Sequence, residues 1–174
     1  MQITFAPLTH AHFPLLLKWL MTPHVHLWWD KNVTWTPELI AEKYDPYVTG
    51  HTTKHGTHKS MHSFIIMVNG IPTGYIQYYN HYDFSRTHEI ADLPDSLAAF
   101  DMYIGEESMT RKGIGSAALK LFLATYVDSQ YEYTYADPDM KNSAAVRTYE
   151  KVGFVIKSDG QRAYMLRKNK TPIN

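Results

Sequence analysis

The 174-residue chain contains no cysteine. Disulfides, thiolate metal sites and cysteine nucleophiles are thereby excluded. It also lacks an excess of either charge, with 17 lysines and arginines against 17 aspartates and glutamates. That balance argues against bulk binding to nucleic acid or an anionic membrane, which depends on a basic surplus. No apolar run approaches the length of a membrane span. The opening "MQITFAPLTHAHFPLLL" has neither a basic start nor an apolar stretch long enough for a signal peptide, so a cytoplasmic location is expected. No repeat or low-complexity linker appears. What is present is ordinary material for a packed core, 44% apolar and 20% charged. The length suits one domain over residues 1–174. Within it, a histidine-rich insertion at 50–62 and a frayed tail at 169–174 are expected.

The apolar periodicity orders the elements. "QITFAPL" alternates as a first strand. Phe13, Leu16, Leu17, Leu20 and Met21 recur at helical spacing, and Pro14 makes that helix start late or lose a bond. "TPELIAEKYDPYV" is a second helix, with Thr36 as N-cap and Pro37 at the first helical position. "HSFIIMV" and "IPTGYIQYY" form a hairpin around Asn69-Gly70. Residues 80–96 are polar and irregular, and "SLAAFDMYIG" is an apolar strand. A helix from Gly113 follows, with Ile114, Ala117, Ala118, Leu121, Phe122 and Thr125 along one face. "YEYTYA" is a strand. "NSAAVRTYEKV" is a helix that Asn142 caps and Gly153 ends. "FVIKSDGQRAYMLRK" is a closing hairpin that turns near Asp159-Gly160. This order predicts a mixed α/β or α+β sheet.

"TRKGIGSAALKLF", Thr110 to Phe122, is the most informative stretch. A helix N-terminus carries partial positive charge and amide N–H groups without intrahelical partners. Gly113 and Gly115 let an anion approach without meeting a Cβ, and Arg111 and Lys112 add cationic side chains. The loop suits a diphosphate. A solvated basic turn before a helix accounts for the two glycines equally well. A P-loop is excluded, because no lysine and hydroxyl follow the second glycine in the required places. A Rossmann loop is excluded too, because Ala118 stands where its third glycine belongs.

The succession "FDMYIG", "TRKGIGSAALKLF", "TYADP", "NSAAVRTYEKVGF" resembles the GNAT superfamily of acetyl-coenzyme A-dependent N-acetyltransferases. Thr110 occupies the place where that family usually has glutamine or arginine. "HLWWD", "EKYDPYV", "GIPTGYIQYY" and "DPDMKNSAAVRTYEKVGF" look like the aminoglycoside 6'-N-acetyltransferases in order and spacing, over roughly residues 3 to 167. Siderophore-pathway acyltransferases share much of this outline. The resemblance implies the GNAT fold, a central mixed and mostly antiparallel sheet splayed between two parallel strands and flanked by helices. It implies acetyl-coenzyme A as co-substrate, held by Met102, Tyr103, Ile104, Arg111, Lys112, Gly113, Ile114, Gly115, Ser116 and Asn142. No metal is implied, and the protein is expected to be a monomer or homodimer.

Acyl transfer to an amine needs a proton acceptor, and an alkylammonium has a pKa of about 10.4 by analogy with lysine. Asp101 lies within an apolar strand, where a carboxylate without a purpose or partner is costly. Its position matches the base of the aminoglycoside enzymes, and a water-facing edge aspartate is the plainer alternative. Tyr149 lies two helical turns after Asn142 and matches the family's tyrosine that serves the departing thiolate. A core tyrosine with a rim hydroxyl is its plainer reading. Asp137, Trp28, Trp29, Tyr44 and Gln77 match positions near the family's acceptor cleft, together with Asp101. Asp139, Asp92, Asp95 and Glu89 are positioned in sequence to add negative potential. The expected acceptor is a small polycation bearing a primary amine, probed at its 6'-amino group. A hydroxylamine or diamine acceptor is the second reading, and a non-catalytic coenzyme A sensor the third. His51, His55, His58 and His62 have spacing that would line one helix face, yet their glycines and threonines indicate a polar loop rather than a metal site.

Overall fold

A computed structural model describes residues 1–54, 57–84 and 90–170, without the side chains of residues 53, 54 and 57. His55, Glu89 and the last four residues of the expected tail therefore lie outside the described residues. The chain divides into two compact units interleaved along the sequence. The first takes Met1–Gln77 and Met102–Ile114; the second takes Tyr78–Asp101 and Gly115–Asn174.

The first unit opens with β1 (Ile3–Pro7), a 3-10 turn at His10–His12, α1 (Phe13–Leu20) and α2 (Pro23–His26). Pro14 sits in the first turn of α1, where a missing N–H breaks no bond. α3 (Pro37–Val48) begins as expected, and the Thr36 hydroxyl accepts the Leu39 amide at 3.3 Å. β2 (His51–Lys54) and β3 (Thr57–Ser60) follow, then β4 (His62–Val68) and β5 (Ile71–Asn80). Asn69 and Gly70 both have positive φ, 49° and 79°, the conformation of a type I′ hairpin turn.

The histidine-rich segment corrects the sequence reading. It is not a loop: β2 and β3 pair as an antiparallel ribbon from His51↔Ser60 to Lys54↔Thr57. The threonines, being β-branched, favour extended backbone over the irregular path suggested by the glycines. The His51 and His58 rings stack at 3.9 Å.

Leu16, Trp19, Leu20, Ile40, Tyr44, Ile65 and Tyr75 are at most 1% exposed and form the core of this unit. Gly105 is required beneath Trp19, because a Cβ there lies 2.2 Å from the indole ring. The indole Nε1 donates to Glu106 Oε1 at 2.8 Å, and Lys18 Nζ donates to the same oxygen at 2.6 Å.

The second unit contains most of β6 (Leu97–Ile104), α4 (Ile114–Phe122) running into a π turn at Leu123–Val127, β7 (Tyr133–Ala136), α5 (Ser143–Glu150), β8 (Val155–Ser158) and β9 (Ala163–Lys168). The buried side of α4 is the expected one at Ile114, Ala118 and Phe122 and departs from it elsewhere. Ala118, Leu119, Phe122, Leu123 and Val127 are buried, whereas Leu121 is 42% exposed and Thr125 is also exposed. Leu121 and Thr125 lie on the outer side with Ala117 part-buried, and Val127 in the π turn is buried. The expected tail also starts too early: Asn169 is 8% exposed, and its amide donates to Glu132 O at 2.8 Å.

Seven strands form one sheet in the order β1-β4-β5-β6-β7-β9-β8. β6 and β7 run parallel, while β1–β4, β7–β9 and β8–β9 run antiparallel. This is the mixed α+β architecture expected from the element order. β8 is the outer strand, and all of its residues are exposed. No helix among the described residues is long and apolar enough to cross a membrane.

Gly105→Ala is expected to lower stability by about 1–3 kcal/mol in urea denaturation, the usual consequence of overpacking a tight site. Alkali gives a second test. Burial, then the neighbouring Tyr44, raises the Tyr75 phenol well above its ordinary value, and the same causes raise Tyr103. Folding therefore favours their neutral forms. The stability they contribute is complete below pH ~10 and is lost as pH rises further. Tyrosinate absorbance from these two residues should appear only with loss of the circular dichroism signal, and Tyr103→Phe should unfold at higher pH than the parent.

Candidate active site

The turn that opens α4 has an unusual backbone. Arg111 has φ 57° and Gly113 φ 78°, with Lys112 between them outside the left-handed region. A non-glycine residue in that region is strained by about 1–3 kcal/mol. Turns that pass through the left-handed region can point successive amide N–H groups toward one side as an anion-binding concavity. Nothing lies within 4 Å of a Cβ built on Gly113, so its positive φ rather than crowding calls for glycine. Arg111, Lys112 and Gly113 are exposed, and Ile114, Gly115 and Ser116 follow as the first turn of the helix.

β6 and β7 are in register for three pairs only, Leu97↔Tyr133, Ala98↔Thr134 and Ala99↔Tyr135. β6 continues to Ile104, whereas β7 ends at Ala136. Asp101 is part-buried and lies two residues past the last pair; Asp137 immediately follows β7. In α5, the Asn142 side chain accepts the Ala145 amide at 3.1 Å, which fixes it as N-cap. The helix closes when Gly153 N donates to Glu150 O at 3.0 Å and Phe154 N to Tyr149 O at 3.1 Å.

Tyr149 is part-buried, with its ring edge-on to Phe100 at 5.2 Å and 5.9 Å from Phe154. Burial first, then the Asp101 carboxylate, then that of Asp137, pushes its phenol well above the ordinary range. The hydroxyl therefore stays protonated at neutral pH, a donor within the field of two carboxylates. The second unit thus brings together Asp101, Asp137 and Tyr149.

The remaining expected positions are distributed differently. Trp28 is 42% exposed. Trp29 is part-buried and edge-on to Tyr103 at 4.9 Å and to Tyr75 at 6.2 Å. Tyr44 is wholly buried, and Gln77 accepts from the Tyr75 hydroxyl at 2.5 Å. Tyr44 and Gln77 are therefore core residues of the first unit. Met102 and Ile104 are part-buried and Tyr103 is buried. Asp139 accepts the Lys141 amide at 2.9 Å, and Asp92 occupies a turn with φ 60°. Burial and then Asp95 raise the Tyr82 phenol. Among the described residues, no group of three histidines or carboxylates is placed to hold a metal ion.

Two contacts were not anticipated. His24 Nε2 donates to Ile104 O at 2.8 Å, anchoring the end of β6 from α2. Arg167 is buried and pairs with Asp128. The first carries no sequence signal. The second does, since Met165, Arg167 and Asn169 alternate in phase along β9 and beyond, and all three are buried.

Known proteins are similar to this chain in sequence and fold. An aminoglycoside N(6')-acetyltransferase type 1 of Klebsiella pneumoniae is 26% identical over 173 residues, covering 95% of this chain and 82% of the relative. A structure of AAC(6')-Ib in complex with acetyl-CoA aligns with a TM-score of 0.78 at 25% identity, covering 97% of this chain and 94% of that one. The same enzyme with ribostamycin and coenzyme A aligns with a TM-score of 0.81 at 24% identity, over the same shares of the two chains. The acetyltransferase (GNAT) domain profile matches residues 9–161, from the turn before α1 to the β8–β9 turn, and the chain belongs to that family.

Proposed function

We propose that residues 1–174 act as one acetyltransferase domain, transferring an acetyl group from acetyl-coenzyme A to a primary amine of an aminoglycoside-like polycation, at its 6'-amino position. The family profile spans both compact units, which supports a single catalytic domain. The observation that carries the reading is the gathering of Asp101 and Asp137 around a phenol that remains protonated.

Acetyl-coenzyme A supplies the acyl group as a thioester. The turn through left-handed Arg111 and Gly113 fits its diphosphate, with the first turn of α4 behind it and Arg111 and Lys112 beside it. β6 continues past its register with β7, and Met102, Tyr103 and Ile104 supply backbone there for an extended pantetheine arm. The Asn142 side chain uses its oxygen for capping, so its amide nitrogen is the donor for that arm.

Asp101 holds the acceptor's ammonium and takes up its proton, directly or through water. Tyr149 donates a hydrogen bond to the sulfur as negative charge develops there. Complete proton transfer is uphill: an ordinary phenol titrates near 10 and a thiol near 8.5, and Tyr149 is shifted further in the unfavourable direction. Its contribution is therefore charge stabilisation. Asp137 adds attraction for a polycation, and exposed Trp28 offers a flat face to a sugar ring.

A thiol-release assay with acetyl-coenzyme A tests the acceptor class. Turnover is expected with aminoglycosides that carry a 6'-amine and not with 6'-hydroxyl analogues. Turnover confined to hydroxylamines or diamines would replace this reading, and tight cofactor binding with no turnover would indicate a sensor. Asp101→Asn should lower kcat by about 10²–10⁴-fold at unchanged coenzyme A affinity, in line with a general base. Tyr149→Phe should lower kcat roughly 10- to 100-fold, matching the loss of a hydrogen bond to a charged group. Gly113→Asp should weaken coenzyme A at least about tenfold in calorimetry, because it adds negative charge and strain at the concavity.

A further inference from the structure

The guanidinium of Arg167 makes four hydrogen bonds within the second unit. Its side chain and that of Asp128 are only 7% and 8% exposed. Nη1 donates to Asp128 Oδ1 at 2.6 Å and Nη2 to Oδ2 at 3.0 Å, a bidentate pair. Nη1 also donates to Asn169 Oδ1 at 2.7 Å. Asn169 is itself held, since Thr134 Oγ1 donates to its Oδ1 at 2.7 Å and its Nδ2 donates to Tyr131 O at 2.8 Å. With both Nη atoms fixed, the plane of the group is set, and so is the direction of Nε. Nε donates to Val152 O at 3.2 Å.

Val152 belongs to the turn that closes α5. Its amide donates to Tyr149 O at 2.9 Å, and Phe154 N donates to the same oxygen at 3.1 Å. Residues 149–154 are thus one hydrogen-bonded turn, and Arg167 grips it by a carbonyl at the helix's negative end, where a cation is favoured. A buried ion pair is a weak source of net stability compared with apolar side chains of the same size. What a planar, bidentate guanidinium supplies better than they do is direction.

We propose that Arg167 is a positioning residue for acetyl transfer: locked by Asp128 and Asn169, it sets the closing turn of α5 and so the Tyr149 hydroxyl. This rests on the reading of Tyr149 as the donor to the sulfur.

The test is a kinetic double-mutant cycle. Single-turnover acetyl transfer is followed with acetyl-coenzyme A and ribostamycin for the parent, Arg167→Lys, Tyr149→Phe and the double variant. Lysine keeps the charge on Asp128 but loses the fork and the aimed Nε. Arg167→Lys should lower the transfer rate about tenfold, with KM for acetyl-coenzyme A within about twofold of the parent. In the Tyr149→Phe background the same change should lower it less than twofold, since effects exerted through one group do not add. A full tenfold loss repeated in that background, or no loss in the parent, overturns the inference and leaves Tyr149's role intact. An unchanged rate in Tyr149→Phe alone, or no turnover of ribostamycin at all, sinks the underlying reading and this inference together. If Arg167→Lys does not fold, Arg167→Met with Asp128→Leu takes its place in the cycle; a parental transfer rate in that folded variant also overturns the proposal.

Discussion

The parallel pairing of β6 with β7 stops after three residue pairs, and the backbone around Asp101 is shaped by that interruption. Parallel strands ordinarily continue their ladder for as long as both run. Here β7 ends and β6 goes on, carrying Asp101 and then Met102–Ile104 into backbone that β7 does not pair. A carboxylate in an apolar strand is normally a destabilising choice. At Asp101 the carboxylate lies just past the end of the ladder and is only part-buried.

Burial and charge then divide the labour among polar side chains. The Tyr149 phenol is made less acidic by burial and then by two nearby carboxylates. Glu106 shows the opposite outcome: hydrogen bonds from Lys18 and then Trp19 hold its carboxyl below the ordinary range. The two shifts differ in leading cause, burial for the phenol and hydrogen bonds for the carboxyl.

Local signals made most of the fold legible. Thr36 and Asn142 cap the helices they precede, Asn69-Gly70 turns its hairpin, and Asp159-Gly160 begins the last turn. Each is a short-range preference that tertiary packing had no reason to override. The face of α4 was legible at Ile114, Ala118 and Phe122, but Leu119 rather than Leu121 completes its buried side, since both satisfy helical spacing. The threonines of the histidine-rich segment outweighed its glycines. That Asp101 and Tyr149 come near one another followed from motif and context. The left-handed Arg111 was not legible, because strain at a non-glycine residue leaves no mark in composition. Nor was the partner of Arg167: alternation in "YMLRKN" turns the arginine inward, but Asp128 lies 39 positions away in the chain.

The open flank formed by β8 bears on colloidal behaviour. Val155 and Ile156 stand exposed on an outer strand, a template to which another extended segment can add. A chain with an isoelectric point near 7.2 has almost no global repulsion at neutral pH to oppose such association. The nearby cation of Lys157 is then a local gatekeeper. Concentrated solutions of this protein are better kept a unit or more away from neutrality, where like charge on every molecule keeps those flanks apart.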